Sequence, residues 1–412
     1  MFKKYSIILL VMLATPCIFE ERTILDDTLG PIFRNLKLIS SRRVKAFMER
    51  KDYNNILNKT HKAAKKLSPD VPFPCDLTYG GRSKKVPTTV HELRPGDIDI
   101  VGNLGDSLSA GTGISAVSII QGVMREERGR SFTGGGEKTW RTYLTLPNIL
   151  KVFNPALFGY ALGGGPSIIW ESQFNVAENG ATSENMPYMS RELVKRIRHD
   201  PRTDVKNHWK MVTLMIGDND FCNNVCYFPN YYDSLEQHRR DLLEVLRYLR
   251  DNLPRTIVNV IPPPRLDVFY KMEKVSFQCY LVQNFACPCI KGLTYKSKRK
   301  ILSDIMKKWQ LIQLEVCNLP EFDLDDFTVI PHQFTLNYTF PTTPDGELDF
   351  SVLAPDCFHF SEKGQARVAN DLWNSILEPF GNKSTDGRDV FAKFNCPTAD
   401  HPFIFTRRNS PK

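Results

Sequence analysis

Short apolar runs punctuate the chain at Ile98–Val101, Ile168–Val176, Met211–Ile216, Thr256–Ile261 and Phe327–Ile330, and each reads as a strand. Longer stretches of helical spacing alternate with them, at Ser234–Asn252, Lys298–Val316 and Ser361–Leu377. Alternation of this kind predicts an α/β fold, a parallel sheet covered by helices. Ser361 fits a helix N-cap, which places His359 just before the helix begins. Residues 20–90 read as a helical, basic extension ending in the Pro/Cys-rich run Pro69–Cys75 and in Gly80-Gly81; a cap on the core and a trimmed propeptide both suit it. No internal repeat and no Pro/Ser-rich linker divides the remainder. One domain over 91–385 is expected, with a tail over 386–412 packed on it.

Three segments far apart bring candidate chemistry: Gly105-Asp106-Ser107-Leu108, Gly217-Asp218-Asn219-Asp220 and Asp356-Cys357-Phe358-His359. Ile98–Val101 alternates apolar and polar residues and then runs through Gly102 to Gly105, so Ser107 stands on the loop leaving a strand. In open α/β sheets that edge is where ligands bind. A serine hydroxyl needs a neighbouring base to take its proton, and His359 is the candidate. Asp356, three residues earlier, falls on the same side of a turn and can bond the far ring nitrogen. Asn219 offers an amide that donates to a developing oxyanion without itself titrating. Gly180, with no Cβ, lets its backbone N–H approach a ligand closely. Asp106 and Asp220 read as structural. The remaining histidines, with no Asp at matching spacing, read as surface or packing residues.

On these blocks the chain resembles the GDSL, or SGNH, hydrolases, and within them the phospholipase B group of lipases. The resemblance covers most of residues 70–410 and includes Leu93–Ile98, Thr145–Leu150 with Phe153-Asn-Pro155, and Cys357–Gly364. It implies a three-layer α/β/α domain, with Ser107 as nucleophile, Asp356 and His359 as the base pair, and Gly180 and Asn219 as oxyanion donors beside the Ser107 backbone. It also implies hydrolysis of acyl esters of glycerophospholipids and lysophospholipids through an acyl-serine intermediate, with no cofactor. Two other readings stand beside it: an esterase acting on another acyl ester, such as an acetylated sugar, and an inactive binding protein that keeps the fold. One departure is visible, because the group usually has Gly where Asp218 stands.

Composition bears on compartment and partners. Met1–Lys4 followed by the apolar stretch Tyr5–Ala14 has the form of a secretory signal, expected to span 1–19, and is too short to cross a membrane. Export suits the ten cysteines; without Cys17 nine remain, so at least one is unpaired or pairs between chains. Cys222 and Cys226 lie close enough to staple the Asn219 loop, whereas Cys287-Pro-Cys289 is too tightly spaced for zinc. Asn58, Asn337 and Asn382 begin N-glycosylation sequons. The formal charge of +8 is concentrated in two stretches, Arg34–Lys66 and Lys296–Lys308. The second lies on a helix that also carries Ile301, Leu302, Ile305 and Trp309, a pattern that suits a solvated helix face or peripheral contact with an anionic membrane surface. No nucleic-acid module is recognisable. The runs Gly134–Gly136 and Gly163–Gly165 lack the Lys-Ser/Thr of a phosphate loop and read as flexible loops near the site.

Overall fold

A computed structural model describes residues 53–272 and 275–411. The expected signal segment and the first part of the basic stretch lie outside the described residues. Four parallel strands, β1 (Ile98–Gly105), β2 (Trp209–Met215), β3 (Thr256–Ile261) and β4 (Phe327–Pro331), pair in the order β1-β2-β3-β4. Every strand residue is buried, as a parallel sheet covered on both faces requires. Alternate side chains then feed two cores. Val212, Leu214, Val258 and Val260 point toward the helices Met186–His199, Asp233–Asn252 and Arg299–Cys317. Met211, Met215, Ile257 and Ile261 point toward Leu146–Phe153 and Glu362–Ile376.

That distribution follows from topology. Crossovers in such sheets are right-handed, so four strands added in one direction place their connecting helices on a single face. The second face must be covered by other chain. Here Leu146–Phe153, from the long connection between β1 and β2, and Glu362–Ile376, after β4, do so, which makes the domain three-layered. No helix among the described residues is long and apolar enough to cross a membrane.

The described part of the N-terminal extension has helix at Tyr53–Lys59 and at Leu77–Gly80 and is otherwise extended or turned. It lies against the domain: Tyr53 and Leu57 are buried, Lys62 Nζ donates to the Leu353 carbonyl at 2.6 Å, and Cys75 is disulfide-bonded to Cys396. The tail packs too, with Ile404 N–H donating to Leu93 and Phe405 N–H to Ile376.

Two expectations need correction. Ile168–Val176 is not a strand; Trp170–Ser172 forms a 3₁₀ turn, Gln173 has φ +49°, and Ile168 and Trp170 face solvent. A strand buried on both faces accommodates single polar residues, such as Asn103 in β1, but the three in succession at Glu171, Ser172 and Gln173 break this run. Only its end meets β1, where Asn103 N–H donates to Phe174 O and Val176 N–H to Asn103 O, both at 3.0 Å. Gly134–Gly136 is likewise no loose loop. All three residues are buried, and a Cβ on Gly134 would fall 1.8 Å from Asn103 Oδ1.

Charge is also built into the interior. Arg128 has no exposed surface; it pairs with Glu126 at 2.9 Å and donates to the carbonyls of Gly165 (2.7 Å) and Ala177 (2.6 Å) and to Asn175 Oδ1 (3.0 Å). Asn175 in turn donates to Ser109 O at 3.0 Å. One guanidinium thus ties the 165–177 loop to the segment around Ser107. Replacing Arg128 with Met leaves a carboxylate and several carbonyls buried without it, and is expected to lower stability by about 3–5 kcal/mol in urea unfolding. A loss below about 1 kcal/mol would show that the loop is held by other means.

Candidate active site

The C-terminal ends of the strands carry the three singled-out segments. At the end of β1, Gly105 has φ +147°, and a Cβ there would come within 2.5 Å of the Met215 carbonyl oxygen, so only glycine fits the turn. Asp106 caps the following Ser107–Ala110 helix by accepting from Leu108 N–H at 2.9 Å, which sets Ser107 at its first position. After β2, Gly217 leads into the Asp218–Asn223 helix.

The structure brings Ser107, His359 and Asp356 into one row. Ser107 Oγ lies 2.9 Å from His359 Nε2, and His359 Nδ1 lies 2.6 Å from Asp356 Oδ2. With Nδ1–H donating to the carboxylate, Nε2 is left to accept from the hydroxyl. The other Asp356 oxygen accepts from the backbone N–H groups of Phe358 and His359, both at 3.1 Å. Burial works to raise the Asp356 carboxyl, but the His359 charge and these hydrogen bonds outweigh it, and it is held below the usual range. The turn depends on Cys357, which takes the left-handed conformation at φ +58° and is disulfide-bonded to Cys279.

Asn219 is nearby in the fold and linked to the Gly180 turn. Its Nδ2 donates to Ala181 O at 2.9 Å, using one of its two hydrogens. Gly180 is exposed at φ +84°, with open space where a Cβ would stand. Asp220, read as structural, accepts from Ser183 N–H with both oxygens at 3.1 Å and so closes the same turn. Three disulfides brace the region. Cys222–Cys287 and Cys226–Cys289 fasten the Asn219 segment, and Cys279–Cys357 fastens the His359 turn, all to residues 279–289. Among the described cysteines Cys317 is free, and it is buried.

Beside Ser107 lies a cavity lined mainly by Leu108, Leu266, Phe269, Tyr338, Phe340 and Phe358, with Asp218 at the same wall. Apart from Leu108, its apolar lining comes from segments after β3 and β4, and residues so scattered carried no sequence signal. Arg128 was equally hidden, inside an acidic and basic run that reads like any solvated turn. The sequons at Asn58, Asn337 and Asn382 are all exposed. Of the other histidines, His238 is wholly buried and is held between Ser183 Oγ (2.8 Å) and Gln313 Nε2 (3.0 Å).

The model of the GDSL-like lipase/acylhydrolase family matches residues 101–372. The chain belongs to that family. It is similar to "Phospholipase B1, membrane-associated" of Rattus norvegicus, 34% identical over 331 residues, and to the protein of the same name in Homo sapiens, 35% identical over 338 residues. In both cases the match covers 80% of this chain and 22% of the relative, so the chain spans about a fifth of the length of these relatives. A solved phospholipase A1 from Streptomyces albidoflavus is similar at 16% identity, with a TM-score of 0.35 over 68% of this chain and 99% of that one.

Asp218 gives the site an unusual electrostatic feature. It is 5% exposed, and neither carboxylate oxygen has a hydrogen-bond partner among the described residues. Burial first, and then the carboxylates of Asp106 and Asp220, push its pKa well above the usual value of 3.8. Asp106 is pushed up to about 6, chiefly by burial and against the pull of Leu108 N–H and the His359 charge; Asp220 rises to about 8. A carboxyl whose pKa is raised by folding stabilises the fold below its unfolded pKa, and that stability is lost as pH rises through the folded value. One pKa unit corresponds to about 1.4 kcal/mol. Asp218→Asn should therefore raise the melting temperature at pH 8 more than at pH 5. An equal shift at both pH values would show that Asp218 does not carry this penalty.

Proposed function

We propose that the protein is an exported serine lipid esterase that cleaves acyl ester bonds of glycerophospholipids and lysophospholipids. The observation that carries this reading is the hydrogen-bonded row Asp356–His359–Ser107 opening onto an apolar cavity. In this mechanism Ser107 Oγ attacks the ester carbonyl carbon while His359 Nε2 takes the hydroxyl proton. Asp356 keeps the imidazole oriented and stabilises its cationic form. The oxyanion receives hydrogen bonds from the Ser107 and Gly180 backbone N–H groups and from the free hydrogen on Asn219 Nδ2. Collapse of the tetrahedral intermediate breaks the ester C–O bond, and His359 returns the proton to the departing alcohol. Water then attacks the acyl-serine by the same route and releases the fatty acid.

The substrate class rests on two supports. The cavity wall is aromatic and aliphatic, which suits an acyl chain better than a sugar. The similar curated proteins are phospholipases by name. Export is supported by four disulfides and by three exposed sequons.

Ser107→Ala is expected to abolish release of fatty acid from phosphatidylcholine and lysophosphatidylcholine while leaving the melting temperature close to wild type. Asn219→Ala should lower kcat by about 10²–10³ with a smaller change in KM, since an oxyanion donor acts mainly on the transition state. Parent-rate hydrolysis by folded Ser107→Ala protein would sink the assignment. Protein secreted from eukaryotic cells should shift to lower mass on enzymatic removal of N-glycans, and substitution of Asn58, Asn337 and Asn382 together should remove that shift. Persistence of the shift in the triple variant would place the glycans elsewhere.

A further inference from the structure

From Val275 to Ile290 the chain contains no Asp, Glu, Lys or Arg, yet much of this stretch lies at the surface. Its centre is the Phe277–Ala286 helix. Residues 279 and 283, one turn apart, face inward: Cys279 is disulfide-bonded to Cys357, and buried Gln283 donates from Nε2 to Cys357 O at 3.0 Å. The opposite side presents Phe277, Leu281 and Phe285 in one i, i+4, i+8 ridge, flanked by Tyr280. Phe277 is 73% exposed and Phe285 90%. An apolar ridge normally faces the core, and a contiguous exposed apolar patch marks an interaction surface.

The neighbouring segment supplies charge of one sign. The Pro288–Lys291 helix packs against both the aromatic helix and the Leu293–Lys298 turn. That turn adds Leu293, 75% exposed, and Lys296 and Lys298; Lys300 follows, and no acidic residue occurs between Glu273 and Asp304. All three lysines are exposed.

We propose that this face is the surface by which the protein seats itself on an anionic phospholipid bilayer. The aromatic ridge enters the boundary between headgroups and acyl chains, and the lysines lie against the phosphates. Charge selects this occupant over a second copy of the chain. A two-fold contact would set the patch against itself and bring the lysines toward one another, whereas an anionic membrane complements them. The position also suits the proposed activity, on which the role in substrate access rests. The inward side of the helix holds the turn that presents His359, and Phe358 of that turn lines the cavity beside Ser107. A lipid leaving the bilayer at this helix therefore lies next to the acyl-chain site.

The test is sedimentation with vesicles of ether-linked phosphatidylcholine, with and without ether-linked phosphatidylserine, neither of which has an acyl ester for an esterase to hydrolyse. Wild-type protein should bind the anionic vesicles more tightly, and added salt should weaken that binding. Phe277→Ser with Phe285→Ser should weaken binding by at least about tenfold. Lys296→Gln, Lys298→Gln and Lys300→Gln together should weaken it by about a hundredfold and remove most of the preference for phosphatidylserine. Both variants should hydrolyse a water-soluble short-chain ester at the wild-type rate, which also confirms that they fold. Wild-type protein that ignores vesicles, or a double phenylalanine variant that binds undiminished, overturns the proposal. A wild-type dimer that the phenylalanine variant converts to a monomer, without change in vesicle binding, overturns it in favour of a second copy. Failure of wild-type protein to cleave any ester counts against the esterase reading and leaves the vesicle result to stand on its own.

Discussion

A guanidinium with no exposed surface holds the site's architecture together. Arg128 is too costly to bury alone, and the structure supplies Glu126 and four oxygen acceptors from the 165–177 stretch to satisfy it. Because those acceptors sit on an irregular loop rather than a strand, satisfying the charge fixes the loop. Asn175 then relays the constraint to Ser109, two residues after Ser107. The backbone that carries Gly180 toward Asn219 is thus positioned by this buried charge together with the few hydrogen bonds that Phe174, Val176 and Glu178 make to β1.

The same requirement, that buried charge find a partner, separates the carboxylates of the site. Asp356 is fully bonded and stays easy to ionise, so it can stabilise an imidazolium. Asp220 is spent on the Ser183 N–H. Asp218 has no hydrogen-bond partner among the described residues and stands at the wall of the apolar cavity. Its position is where the resemblance to the phospholipase B group departs, so this difference falls beside the proposed nucleophile and not on a remote surface.

Covalent bracing complements these interactions. Residues 279–289 receive three disulfides, two from the Asn219 segment and one from the His359 turn. Loops from β2 and from beyond β4 are therefore referred to one common support. The exposed aromatic ridge belongs to that support, which couples the surface of the molecule to the geometry of the site.

Local pattern was sufficient for much of this. β1 to β4 and the three long helices follow from apolar periodicity, because covered strands and amphipathic helices write their burial into consecutive residues. Ser107, Asp356, His359 and Asn219 were legible because each sits in a short segment whose turn chemistry and residue types agree. Ile168–Val176 misled for the same reason: its apolar residues are near in sequence, but Glu171, Ser172 and Gln173 cannot all enter a sheet covered on both sides. The disulfide partners, the cavity lining, the Arg128 clamp and the burial of Asp218 belong to tertiary structure alone. Each is a relation between residues tens to hundreds of positions apart, and burial, which decides whether a charge or an aromatic ring is stabilising or costly, exists only once those residues have met.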